Sequence, residues 1–144
     1  GTVDLYDKQT NTVIDFKIVG DSSLTNARRG KVSTQYQVQV QLYGMGLAQV
    51  GHRVDTVAIM YLPRNKDLTD AVLWQQPYDA QLAKVYIDRY HLIGRMVEMR
   101  GQEALRELKA TDAPCVWCDW FNPNAKTPAD GCPGILNQKT NNTN

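Results

Sequence analysis

Long apolar runs are missing from this sequence, and nothing in it approaches the roughly 18 consecutive apolar residues of a membrane-spanning helix. No basic stretch followed by an apolar one marks a leader either, so the expected setting is the cytosol, with no membrane partner. Cysteine is scarce. Cys115, Cys118 and Cys132 are an odd number crowded toward the C-terminus, which fits a reducing compartment and a local metal site better than a disulfide framework. Charge of one sign is also lacking: 16 basic residues against 15 acidic ones give a net charge of +1. Any attraction to nucleic acid must therefore come from local patches, not a global field. There is no internal repeat and no long low-complexity tract.

What is present is an ordinary globular composition, 42% hydrophobic and 22% charged over 144 residues, enough for one domain with one modest core. The chain opens on Gly1 and enters a strand-like run without a polar lead-in, so we expect an upstream segment to belong to the same fold. Residues 2 to 6 and 12 to 19 are rich in β-branched and aromatic residues and flank the polar stretch Asp7 to Asn11, the pattern of a hairpin. Residues 20 to 31, GDSSLTNARRGK, have the composition of an exposed loop. Tyr36, Val40, Tyr43, Leu47 and Val50 recur at helical spacing, with Ser33 or Thr34 near the start and Gly51 as the stop. RVDTVAIMYLP and AVLWQQ read as two further strands. Asp79 then caps a long helix with a stripe through Leu82, Tyr86, Tyr90, Ile93, Val97, Ala104 and Leu108. The order predicts an α/β or α+β sheet covered by helices. Regular patterning fades after Thr111, and residues 135 to 144 read as a disordered tail.

Two acids and a lysine stand out on these strands. Asp15 and Lys17 are two apart and project from the same face of their strand, while Phe16 points to the other. A hairpin turning near Lys8 to Thr10 brings Asp4 close to Asp15. Two converging carboxylates repel unless a cation lies between them, and hard oxygen ligands suit Mg2+ or Mn2+. A metal with a neighbouring lysine is a layout for phosphodiester cleavage. The plainer alternative is a surface hairpin with an exposed Asp15–Lys17 ion pair, worth at most about 1 kcal/mol. On the helix that follows, Tyr36, Gln39 and Tyr43 share one face, and a glutamine among aromatic residues needs a hydrogen-bond partner.

Gly1-Thr2-Val3-Asp4, then Asp15-Phe16-Lys17, then Tyr36, Gln39 and Tyr43 resemble motifs of the RecB-type branch of the PD-(D/E)XK nuclease superfamily, over roughly the first 75 residues. The resemblance implies a restriction-endonuclease-like central sheet flanked by helices and a Mg2+ or Mn2+ dependent DNase, with DNA as partner and an exonuclease role in repair, recombination or phage replication. It implies that Asp4, Asp15 and the Phe16 carbonyl ligate metal, that Lys17 is the catalytic lysine, that Gln39 and Tyr43 support the site and touch DNA, and that Tyr36 is a further DNA contact. The family core has a helix and a strand before its first motif, with a further metal-binding acid or histidine. Neither His52 nor His91 fits that role by position, and the expected core over residues 1 to 112 is therefore N-terminally truncated.

Residues 113 to 134 form a cysteine-rich segment. Cys115, Cys118 and Cys132 offer three thiolates for a 4Fe-4S cluster or zinc, and the resemblance implies an iron-sulfur cluster that takes its fourth ligand from upstream. Arg28, Arg29 and Lys31, with Arg64 and Lys66, could hold phosphates or simply form a solvated face. Trp74, Trp117 and Trp120 could stack on bases or pack. Against the nuclease stands a second class of function, a noncatalytic nucleic-acid-binding module with a metal-stabilised cysteine tail.

Overall fold

The hairpin turn is built from its own polar side chains. The Asp7 carboxylate accepts from the Gln9 N–H and the Thr10 hydroxyl at 2.9 and 2.7 Å. Asn11 takes a left-handed φ of 51°, which a short polar side chain tolerates better than most. Its amide then donates to Asp55 at 2.9 Å. This turn joins β1 (Leu5–Asp7) to β2 (Thr12–Val19) in antiparallel register, with Leu5 opposite Ile14. A computed structural model describes residues 1–108 and 118–134 of the chain.

From β2 the chain crosses over through α1 (Asp21–Arg28) and α2 (Thr34–Gln49) and returns as β3 (Thr56–Pro63), parallel to β2. β4 (Val72–Pro77) then pairs antiparallel with β3, giving a four-stranded mixed sheet in the order β1-β2-β3-β4. Period-two alternation sends Val13, Asp15 and Val19 of β2 to one buried face. There they join Val57, Ile59 and Tyr61 of β3 in a core closed by Leu24 and Ala27 of α1 and Val40 of α2. Phe16 and Ile18 point the other way and are exposed.

Residues 21 to 28 form a helix where composition predicts an exposed loop. Ser22, Ser23, Thr25 and Asn26 are indeed exposed, but Leu24 and Ala27, three apart, are buried against the sheet and hold the helix by packing. Gly30 serves as its stop, at φ +70°. The Lys31 N–H reaches back to the Asn26 carbonyl and the Gly30 N–H to that of Ala27, both at 2.9 Å. α2 ends by the same device: Gly51 has φ +91°, and the His52 and Gly51 N–H groups bond the Leu47 and Ala48 carbonyls. Its start is as expected, with the Ser33 hydroxyl accepting from the Tyr36 N–H. Val50, placed on the apolar stripe by spacing, is exposed at the helix cap.

The buried surface of α2 also holds Gln41 and Gly44. The Gln41 amide donates to the Pro77 carbonyl at 3.1 Å and accepts from the Asp79 N–H at 2.8 Å. A Cβ on Gly44 would stand 2.7 Å from the Tyr78 ring, so glycine lets α2 come this close to the same turn. The Asp79 carboxylate in turn caps α3 (Ala80–Arg100) by accepting from the Gln81 and Leu82 N–H groups.

The chain divides into two units, Gly1–Ile87 and Asp88–Asn144. In the second, α3 ends at Arg100 and Gly101 turns the chain at φ +74°, so the stripe through Ala104 and Leu108 does not continue as one helix. Ala104 is instead buried in a 3-10 helix, Gln102–Glu107, and Arg100 pairs with Glu107. Further on, Phe121 forms a parallel bridge with Cys132. Cys115, Trp117 and the tail from 135 to 144 lie outside the described residues. Among those described, no helix is long and apolar enough to cross a membrane.

Candidate functional site

Asp15 occupies an apolar position of β2 and is only 2% exposed. A carboxylate there is costly unless matched by charge and hydrogen bonds. Its charge is matched: Lys17 Nζ lies 2.7 Å from Asp15 Oδ2, and the Lys17 side chain is 19% exposed. The hydrogen bonding is not, since that buried oxygen has no aligned donor among the described residues and its contact with the ammonium is electrostatic. Lys17 Nζ also sits 4.9 Å from the centre of the Tyr36 ring. The plainer expectation of an exposed surface ion pair does not describe this burial.

Asp4 stands one residue before β1. Continuing the register of Leu5 with Ile14 by one step sets Asp4 opposite Asp15. Its Oδ2 accepts from the Phe16 N–H at 2.9 Å, which ties the acid to the backbone between Asp15 and Lys17. On α2, one turn apart, Gln39 Nε2 donates to the Tyr43 hydroxyl at 2.8 Å, so this donor is met within the helix itself and not by a metal-bound water or a DNA phosphate. The start of the chain rests on the same ring: a Cβ on Gly1 would be 2.9 Å from Tyr43 Cε1. The first motif thus meets the strand motif through Asp4 and Phe16 and the helix motif through Gly1 and Tyr43.

Other residues singled out by the sequence are engaged elsewhere. Arg28 donates to the Asp70 carboxylate at 2.6 Å and to its carbonyl at 3.1 Å. Lys66 pairs with Asp21 at 3.3 Å, while Arg29, Lys31 and Arg64 are exposed. His52 packs against the Tyr6 ring and His91 against Tyr90. Trp74 is half-buried against the core, and Trp120 is exposed. Cys118 is exposed and Cys132 half-buried. Among the described residues no three histidine, cysteine or acidic side chains gather into a metal-holding group.

Tyr61, which periodicity marks only as part of an apolar strand, is the site residue that sequence reasoning missed. It lies beside Lys17 in the β2–β3 register and is 3% exposed. Burial, and then the neighbouring Tyr36 and Asp15, push its phenol up to about 12. Its neutral form is thus favoured by folding. The resulting stability is fully present below pH 10, the unfolded value, and is lost as pH rises toward about 12. We expect unfolding titrations of Tyr61→Phe to show a shallower alkaline loss of stability than wild type; identical slopes would place the phenol in a less buried setting.

No protein-family model matches the chain, and no curated protein or solved structure matches it.

Proposed function

We propose that the chain carries the site of a metal-dependent DNA nuclease, acting as an exonuclease in keeping with the resemblance of its motifs. The observation that carries this reading is the Asp15 carboxylate, 2% exposed, with one oxygen balanced, among the described residues, by the Lys17 ammonium alone. A buried acid with an incompletely satisfied oxygen and a second acid across the hairpin suits a hard divalent cation better than it suits an apolar core. Asp15 and Asp4 would hold Mg2+ or Mn2+. The ion would supply Lewis-acid activation of the scissile phosphate and its attacking water.

The chain's own groups divide the remaining work. Lys17, freed from sole duty to Asp15, offers an ammonium to a phosphate oxygen or to the attacking water. Asp4 is anchored by the Phe16 N–H, which donates to one of its carboxylate oxygens. The Gln39–Tyr43 pair is fixed by its own hydrogen bond and by the contact of Tyr43 with Gly1, so it supports the chain entry that carries Asp4. The cysteines take no part in this proposal, which rests on Asp4, Asp15 and Lys17 alone. The binding-module alternative has less support, since Arg28 and Lys66 are committed to Asp70 and Asp21.

The test is incubation of the protein with linear single- and double-stranded DNA in Mg2+, in Mn2+ and in EDTA, beside Asp15→Ala. We expect DNA loss with either metal, none in EDTA and none with the variant. Equal loss in wild type and variant would remove the enzyme reading, and retention of intact DNA in a gel shift that ignores EDTA would favour the binding module.

A further inference from the structure

We propose that Tyr36 is a positioning residue that holds the Lys17 ammonium at the site through its ring face, an inference that rests on the nuclease reading of the same residues. A lysine ammonium is a point charge on a flexible four-carbon stem, so its placement depends on what surrounds it. Here two groups do so: the Asp15 carboxylate at 2.7 Å and the Tyr36 ring at 4.9 Å. They respond differently to a divalent cation. An ion on Asp15 competes for the same oxygen and repels the ammonium, whereas the negative face of an aromatic ring keeps its attraction for a cation. With the carboxylate alone, the ammonium would be displaced toward water at the moment it is needed.

The ring is itself well anchored. Tyr36 is the third residue of α2, and its N–H is bonded to the Ser33 carbonyl at 3.1 Å and to the Ser33 hydroxyl at 3.3 Å. Its side chain packs against the core cluster that contains Tyr61, on the sheet face shared by Asp15. The helix start thus fixes the ring, and the ring fixes the ammonium. This gives Tyr36 a role inside the site in place of the DNA contact that the resemblance implies. Only the aromatic face matters to it, so phenylalanine should substitute and an aliphatic residue should not.

Protein labelled with 13C at lysine provides a reading that does not depend on turnover. The Lys17 ε-CH2 signal, assigned by its loss in Lys17→Met, is expected upfield of the other lysines through the ring current, with or without Mg2+. Tyr36→Phe should keep that displacement and Tyr36→Leu should abolish it. In cleavage assays, kcat of Tyr36→Leu is expected to fall about threefold to thirtyfold, the range of a cation–π contact, with KM for DNA unchanged and Tyr36→Phe close to wild type. An undisplaced signal in wild type, or one that moves off the ring when Mg2+ is added, overturns the proposal even if Tyr36→Leu does not fold. So does a Tyr36→Phe variant whose KM rises, since the hydroxyl would then be contacting DNA. If wild type cleaves nothing in either metal, the nuclease reading falls, and with it any catalytic use of the contact; the displaced signal then still decides whether the ring holds the ammonium.

Discussion

Lys17→Met is expected to lower the stability of the fold by about 3 kcal/mol, and Mg2+ is expected to restore most of that loss. The variant removes the charge partner that Asp15 Oδ2 has among the described residues and leaves a carboxylate that is 2% exposed. Removing one member of a buried ion pair strands the other, at a typical cost of about 3–5 kcal/mol. The lower figure applies because the Lys17 side chain keeps some contact with water. A divalent ion bound to Asp15 supplies the missing positive charge and stabilises the folded state in proportion to its occupancy. Urea unfolding with and without Mg2+ reads both effects. The double variant Asp15→Asn/Lys17→Met is the control: it should regain stability without metal and gain nothing further from it. A Lys17→Met protein as stable as wild type would mean that Asp15 is well solvated or otherwise paired. Rescue of equal size in the double variant would move the metal elsewhere.

Gln41→Ala is expected to cost about 3–4 kcal/mol, from two broken hydrogen bonds and a small cavity. Gln41 is 1% exposed and uses both ends of its amide, bridging the Pro77 carbonyl and the Asp79 N–H. Deleting it leaves a carbonyl and an N–H without their partner in the turn from which α3 starts. The loss should therefore show locally before it shows globally. Hydrogen exchange at the Ala83 amide, which bonds the Asp79 carbonyl, should speed up more than exchange at β3 amides. Gln41→Glu keeps an acceptor for Asp79 but sets a buried carboxylate against the Pro77 carbonyl, so at neutral pH it should be at least as destabilised as Gln41→Ala. A Gln41→Ala protein within about 1 kcal/mol of wild type would show that water replaces both bonds.

Much of the first unit is readable from its sequence because its signals are local. The hairpin, α2 with its Ser33 cap and Gly51 stop, the two later strands and the Asp79 cap all depend on residues within a few positions of each other. α1 is different. Six of its eight residues are not apolar, and what makes it a helix is the meeting of Leu24 and Ala27 with a sheet whose other strands lie far along the chain. Gly30, counted as loop composition, was in fact the trace of a helix end. The same limit explains the glutamines of α2. Gln37, Gln39 and Gln41 look alike in sequence, and the hydrophobic period does not separate the one that bonds Tyr43 from the one that ties the helix to a turn 36 residues away. For the site, side-chain alternation was enough to set Asp15 beside Lys17, and the hairpin was enough to bring Asp4 to the Phe16 N–H. Tyr36 is legible with the helix motif, but its contact with Lys17 and the presence of Tyr61 are not, because both depend on the β2–β3 crossover.

That crossover also sets an order of events during folding. The acids and the lysine lie within a 14-residue stretch closed by a two-strand turn, which can form on the microsecond scale of hairpins. Pairing β2 with β3 must wait for closure across both intervening helices, since Thr12 meets Thr56 in the register. The charged cluster is therefore assembled in water first and enclosed afterwards, so the cost of its desolvation falls on the late, long-range step. Refolding of this protein should consequently be paced by the parallel pairing, with divalent salt acting on that step and not on the hairpin.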